Sequence, residues 1–135
     1  MMPGSTESAQ RGVLDTSVFI AKETGRPLAD LPNAAAVSVI TLAELHLGVL
    51  MAQGSAIRTR RLRTLTRVEN AFEPLLIDAE VARTFAELVA EALRHGKRPK
   101  IMDAWIAATA VAHDIPVYTQ DGDFAEIPKV RVHRV

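Results

Sequence analysis

At 135 residues, 48% hydrophobic and 24% charged, the chain has the composition of one globular domain that can bury roughly two thirds of its unfolded surface. Sixteen basic and sixteen acidic residues cancel, so no global field announces a polyanionic partner, and the absence of Cys excludes disulfides, thiolate catalysis and thiolate-bound zinc. No apolar run approaches the roughly 20 residues that span a bilayer, and residues 1–11 read as a flexible polar leader without the apolar stretch of a secretion signal, so a cytoplasmic location is expected.

Residues 12–15 read as a short buried strand, followed by a brief helix from Ser17 to Ala21 and the breakers Gly25, Pro27 and Pro32. Residues 36–40 read as a second strand, because Val37, Val39 and Ile40 are β-branched and no charge interrupts them. A helix is expected over 41–52, stopped by Gly54, and another from a Ser55 cap to about Ala71 with Ile57, Leu62, Leu65 and Val68 along one face. Leu75, Leu76 and Ile77 suggest a third strand, and Asp78 caps a helix that stops at His95-Gly96. Residues 102–113 form a helix apolar on nearly every side, hence buried, with Trp105 as a core anchor. Strands at 116–119 and 130–135 follow, the last alternating in the manner of a sheet edge. Strands separated by helices imply right-handed crossovers and a mostly parallel, three-layer α/β domain over 12–135.

Four acids stand where such a sheet gathers its chemistry. Asp15 ends the first strand, Glu44 follows the second, Asp121 follows the fourth, and Asp103 opens the buried helix. Each has an ordinary reading: Thr41-Leu42-Ala43-Glu44 fits a capping box, Asp15 a helix cap, Asp121 a turn, and Asp103 a dipole partner. Those readings do not account for all four around one crevice, and an unpaired carboxylate on the most buried helix is costly. An all-oxygen ligand set points to a hard cation, magnesium or manganese, and so to hydrolysis of a phosphodiester. Thr16, Ser17 and Thr119 add neutral hydroxyls that can orient a ligand or serve only as turn and cap residues.

Two basic groups are open to either a solvated or a phosphate-contacting reading. Arg60, Arg63 and Arg67 share one face of the helix at 55–71, and Lys97, Arg98 and Lys100 lie in the loop before Asp103. The four His residues share no ligand spacing.

The segments Leu14-Asp15-Thr16-Ser17-Val18-Phe19-Ile20, Thr41-Leu42-Ala43-Glu44-Leu45, Asp103-Ala104-Trp105-Ile106-Ala107-Ala108 and Thr119-Gln120-Asp121-Gly122-Asp123-Phe124 resemble the four successive motifs of PIN domains, nearest to the VapC toxins of type II toxin–antitoxin modules. The resemblance implies a magnesium-dependent endoribonuclease with a five-stranded sheet of order 3-2-1-4-5. It also implies an RNA substrate, a VapB-type antitoxin as partner, and a homodimer that assembles further with it. Asp15, Glu44, Asp103, Asp121 and Thr119 carry over as catalytic residues, with Asp15, Asp103, Asp121 and Asp123 as metal ligands. The helices at 41–52 and 55–71 are the expected dimer faces. Two rivals use the same residues: a receiver-like phosphoacceptor, and a binding module whose acidic cleft takes Arg or Lys from another protein.

Overall fold

A computed structural model describes residues 10–135, so the expected leader lies almost wholly outside the described residues. Arg11, assigned to that leader, instead opens strand β1, Arg11–Leu14. The chain continues through α1 (Thr16–Glu23), β2 (Ala34–Ala36), α2 (Val39–Leu50), α3 (Ser55–Ala71), α4 (Ala79–Arg94) and α5 (Ile101–Ala112). It ends in β3 (Val117–Thr119), a 3-10 turn at Asp123–Glu126, and β4 (Val132–Arg134).

All strand pairs are parallel and the order is β2-β1-β3-β4, so among the described residues the sheet has four strands where five were expected. The missing strand survives as a single bridge. Leu75 donates to Val37 and accepts from Val39, beside β2 where the third strand of the expected order would lie. One bridge is all that forms because Val39 and Ile40, expected in a strand, belong to α2. Ser38 caps that helix, its hydroxyl accepting from the Ile40 amide at 3.0 Å, and so ends the extended segment early. The α3 helix starts at Ser55 as expected, but its cap position is Gly54, at φ +96°, not Ser55.

Alternation along the central strands splits the core into two layers. Val13 and Val117 face α4 and α5, packing with Val81, Leu88, Ile106, Ala108 and Phe124. Leu14 and Tyr118 face the other way, onto Val18, Phe19, Leu45, Leu65 and Val68 of α1, α2 and α3. Burying a side chain such as Leu88 completely contributes about 1.5–3 kcal/mol. The small residues of α5 let it lie flush on the sheet, and Trp105 stacks on Phe85 of α4 with ring centroids 3.6 Å apart. In the expected α3 stripe, Leu65 and Val68 are buried while Leu62 is 49% exposed. The expected C-terminal edge is β4, exposed throughout. No helix among the described residues is long and apolar enough to cross a membrane.

Candidate active site: an acidic cleft at the strand ends

Parallel pairing of β1 with β3 places Leu14 beside Tyr118, so the residues just past both strands open on the same edge of the sheet. Asp15, only 3% exposed, leaves β1 there and caps α1. Its Oδ2 accepts from the Ser17 hydroxyl at 2.7 Å and the Thr119 hydroxyl at 2.9 Å. Ser17 Oγ also lies 3.2 Å from Thr119 Oγ1 and accepts the Gln120 amide at 3.0 Å. Asp15 is therefore a helix cap and a cleft carboxylate at once, with two hydroxyls fixing its orientation.

Glu44 does not sit in a capping box. Because α2 begins at Val39, Thr41 is already inside the helix and fully buried, and Glu44 falls past the first turn. Its Oε1 instead accepts the Thr16 hydroxyl at 2.6 Å, across to α1. Thr41 lies 3.1 Å from the same hydroxyl. Burial raises the proton affinity of Glu44, the Thr16 hydrogen bond opposes that, and the charges of Asp15 and Asp121 raise it further.

Asp103 enters from the first turn of α5. Burial, reinforced by Asp15, Glu44 and Asp123, pushes its carboxyl from 3.8 up to about 7. Asp121 is raised as well, first by burial and then by Asp15 and Asp123, while Lys100 and Arg134 pull it back. Its amide donates to Thr119 Oγ1 at 3.0 Å. Asp15, Glu44, Asp103 and Asp121, scattered over the sequence, thus act on one another electrostatically as one cluster.

Asp123 stands at the rim, where it pairs with Lys100 Nζ at 2.8 Å. The remaining basic residues are dispersed. Lys97 pairs with Glu126 at 3.5 Å, and Arg60 with the buried Glu23 of α1 at 3.5 Å, so the α3 arginine face is partly committed to the protein itself. Arg63 and Arg67 line a shallow hollow on α3, and Arg98 is exposed in the loop before α5. Sequence reasoning did not single out Arg134, which donates to the Gln120 carbonyl at 2.7 Å, or Gln120, whose side chain bonds Arg26 and the Val135 carbonyl. The parallel register Thr119↔Arg134 brings this arginine to the cleft, and a lone exposed strand gives no such signal in sequence.

Among the described residues no three His, Asp or Glu side chains are drawn tightly enough together to cage an ion as they stand. The chemistry of the donors nevertheless fits one. The donors are all oxygen and mutually repelling; Asp15 and Asp103 are buried and Glu44 half-buried, and the hydroxyls that hold Asp15 and Glu44 leave their negative charge unpaired. Relief of that repulsion is what a hard cation offers.

Residues 12–130 match the PIN domain family. The chain is 48% identical over 118 residues to Ribonuclease VapC5 of Mycobacterium tuberculosis, covering 86% of this chain and 87% of that one. It is 46% identical to Ribonuclease VapC4 of the same organism, covering 93% and 97%. The crystal structure of VapBC-5 from Mycobacterium tuberculosis, a member of the VapBC family of toxin–antitoxin systems, superposes with a TM-score of 0.84 at 44% identity over 93% of this chain and 99% of that one. With its sheet order, its acidic cleft and these relatives in agreement, the chain belongs to the PIN domain family, in its VapC branch.

Proposed function

We propose that the chain is the ribonuclease toxin of a type II toxin–antitoxin pair, a divalent-cation-dependent endoribonuclease held in check by a VapB-type antitoxin. One observation carries this reading: four carboxylates, from the end of β1, from α2, from α5 and from the segment after β3, share a single cleft in which the charge of Asp15 raises the proton affinity of Glu44, Asp103 and Asp121. Relatives named as VapC ribonucleases and structures of VapBC pairs supply the substrate class and the partner. Since RNA and such a partner are cytoplasmic, the cytoplasm is the proposed site of action.

Asp15, Asp103 and Asp121 are the proposed ligands, with Asp123 at the rim. Magnesium, or manganese in its place, supplies charge neutralisation at the phosphoryl oxygens and a more acidic water. Glu44 is the proposed general base: burial raises its basicity, and the Thr16 hydroxyl holds its Oε1 and leaves the second oxygen to take a proton. It takes a proton from the attacking water as the new P–O bond forms, and the departing ribose oxygen is protonated from solvent. Ser17 and Thr119 keep Asp15 in a single orientation throughout. Lys97, Arg98 and Lys100 are the proposed RNA contacts near the cleft, with Arg60, Arg63 and Arg67 a more distant set.

The receiver-like reading falls with the family assignment. The binding-module reading differs in one outcome: an intact chain that binds RNA or protein but never cuts. Purified protein, free of antitoxin, should cleave single-stranded RNA with magnesium or manganese, stop in excess chelator, and lose orders of magnitude in rate on Asp15→Asn or Asp121→Asn. Undiminished cleavage in chelator, or in both variants, would overturn the proposal.

We also propose a homodimer through α2 and α3. Leu47, Leu50, Met51 and Leu62 are exposed there, Leu50 by 68% and Met51 by 70%, a large apolar area for a lone domain to leave in water.

A further inference from the structure

A cleft built from carboxylates repels the polyanion it must cut. A cation offsets the charge at the scissile phosphate, but the neighbouring phosphates need partners from the protein. Two cations act on the cleft acids. Lys100 influences Asp103 and Asp121, and Arg134 influences Asp121. They arrive from different parts of the fold, Lys100 at the cap of α5 and Arg134 on β4, beside Thr119 in register. Between them runs the 121–123 loop.

Their present partners leave both available. Lys100, with a side chain 71% exposed, is held only by the half-exposed Asp123 at 2.8 Å. An ion pair in so open a setting contributes little, and a phosphate can take its place. Arg134 uses its NH2 group on the Gln120 carbonyl at 2.7 Å. That single bond orients the guanidinium and leaves most of its five N–H donors free for a bidentate grip on phosphate. The guanidinium lies against the loop at Gly122, where a Cβ would sit 3.5 Å from Arg134 NH1, an ordinary contact distance. By contrast Arg131, just before β4, spends its guanidinium on the carbonyl and carboxylate of Asp114.

We propose that Lys100 and Arg134 form a two-point phosphate clamp across the 121–123 loop, gripping the RNA backbone on either side of the bond to be cut. The clamp rests on the ribonuclease reading given above. It makes Arg134 a substrate-binding residue contributed by the sheet edge, and it gives the RNA a path along the line from the α5 cap to β4.

The test measures binding apart from cleavage. In the Asp15→Asn background, anisotropy of a labelled single-stranded RNA is followed against salt concentration. Arg134→Gln and Lys100→Gln should each weaken binding several-fold and flatten the slope of log affinity against log salt by about 0.7, with the double variant near the sum. Arg134→Lys should restore the slope but not the full affinity, because the fork geometry is lost. Arg131→Gln should change neither quantity. If the Asp15→Asn parent binds RNA and the Lys100 and Arg134 variants bind with unchanged affinity and slope, the clamp is wrong while the nuclease reading stands. A parent and wild type that neither bind nor cut RNA overturn the nuclease reading and the clamp together.

Discussion

Replacing Asp103 by Asn isolates the electrostatic strain on which the cation-centred reading depends. Asp103 is 9% exposed, and its carboxyl is pushed from 3.8 up to about 7, first by burial and then by Asp15, Glu44 and Asp123. At about 1.4 kcal/mol per tenfold change, that gap caps the effect at about 4 kcal/mol. Water reaching the open cleft screens it to roughly half, about 2 kcal/mol. The sign follows from linkage. A carboxyl whose folded value is raised favours the fold while protonated, fully so below about pH 4, and that contribution is lost as pH rises through about 7. In chelator, therefore, Asp103→Asn should match the wild type near pH 4 and exceed it by about 2 kcal/mol near pH 8. For a domain of this size that is a gain of roughly 6–10 °C in thermal midpoint. Magnesium should reverse the order, because only the wild type gains stability from a ligand bound to its folded state. Thermal unfolding followed by circular dichroism across pH, with and without chelator, reads both effects. A variant that is less stable at pH 8 in chelator, or a gap that does not change with pH, would refute the reasoning.

Thr16→Val removes the hydroxyl that donates to Glu44 at 2.6 Å while keeping the shape, and should slow RNA cleavage roughly tenfold with an unchanged unfolding midpoint. Thr16→Ser should recover most of that rate, and equal loss in both variants would show that the hydroxyl is not what matters. Gly12→Ala places a Cβ 2.4 Å from Tyr118 Cε1 in the centre of the sheet, and should cost about 1–3 kcal/mol in urea unfolding. A stable Gly12→Ala would mean that the ring moves aside freely. Cation affinity measured by calorimetry should fall roughly tenfold for each pH unit below about 7, because Asp103 must lose a proton to become a ligand. An affinity that is flat across that range would remove Asp103 from the ligand set.

The candidate site residues were more legible than the sheet. Asp15, Glu44, Asp103 and Asp121 could be found because each stands at a boundary between an apolar run and a polar one, and boundaries survive small errors in element assignment. The α4 limits were readable from Asp78, whose carboxylate accepts the Val81 amide at 2.9 Å, and from Gly96 at φ +75°. Strand β2 was not readable, because Ala34–Ala36 is three alanines, residues with little β preference that are held only by pairing with β1. Val39 and Ile40 misled for the converse reason. Their branched side chains suit a strand, yet the Ser38 cap and packing of α2 against the sheet outweigh that preference. Recognising Ser38 as a cap would have moved the helix start and removed the capping-box reading of Glu44 with it. The exposed edge at β4 was anticipated, but the closeness of Arg134 to the cleft depends on a register that no local pattern encodes.

Strand β1 finds its neighbour β3 only after the whole helical part of the chain has been made, and the bond from Thr119 to Asp15 closes a loop of 104 residues. Pairing over such a span is slow, and a protein under synthesis at roughly 5–20 residues per second spends several seconds as a chain in which β1 has β2 on one side and nothing yet on the side that β3 will take. During that interval Asp15 lacks Thr119, and Asp121 has not yet been delivered. A half-made chain on the ribosome, surrounded by RNA, is therefore inert by topology alone. Its cleft is completed only after α1 to α5 have emerged.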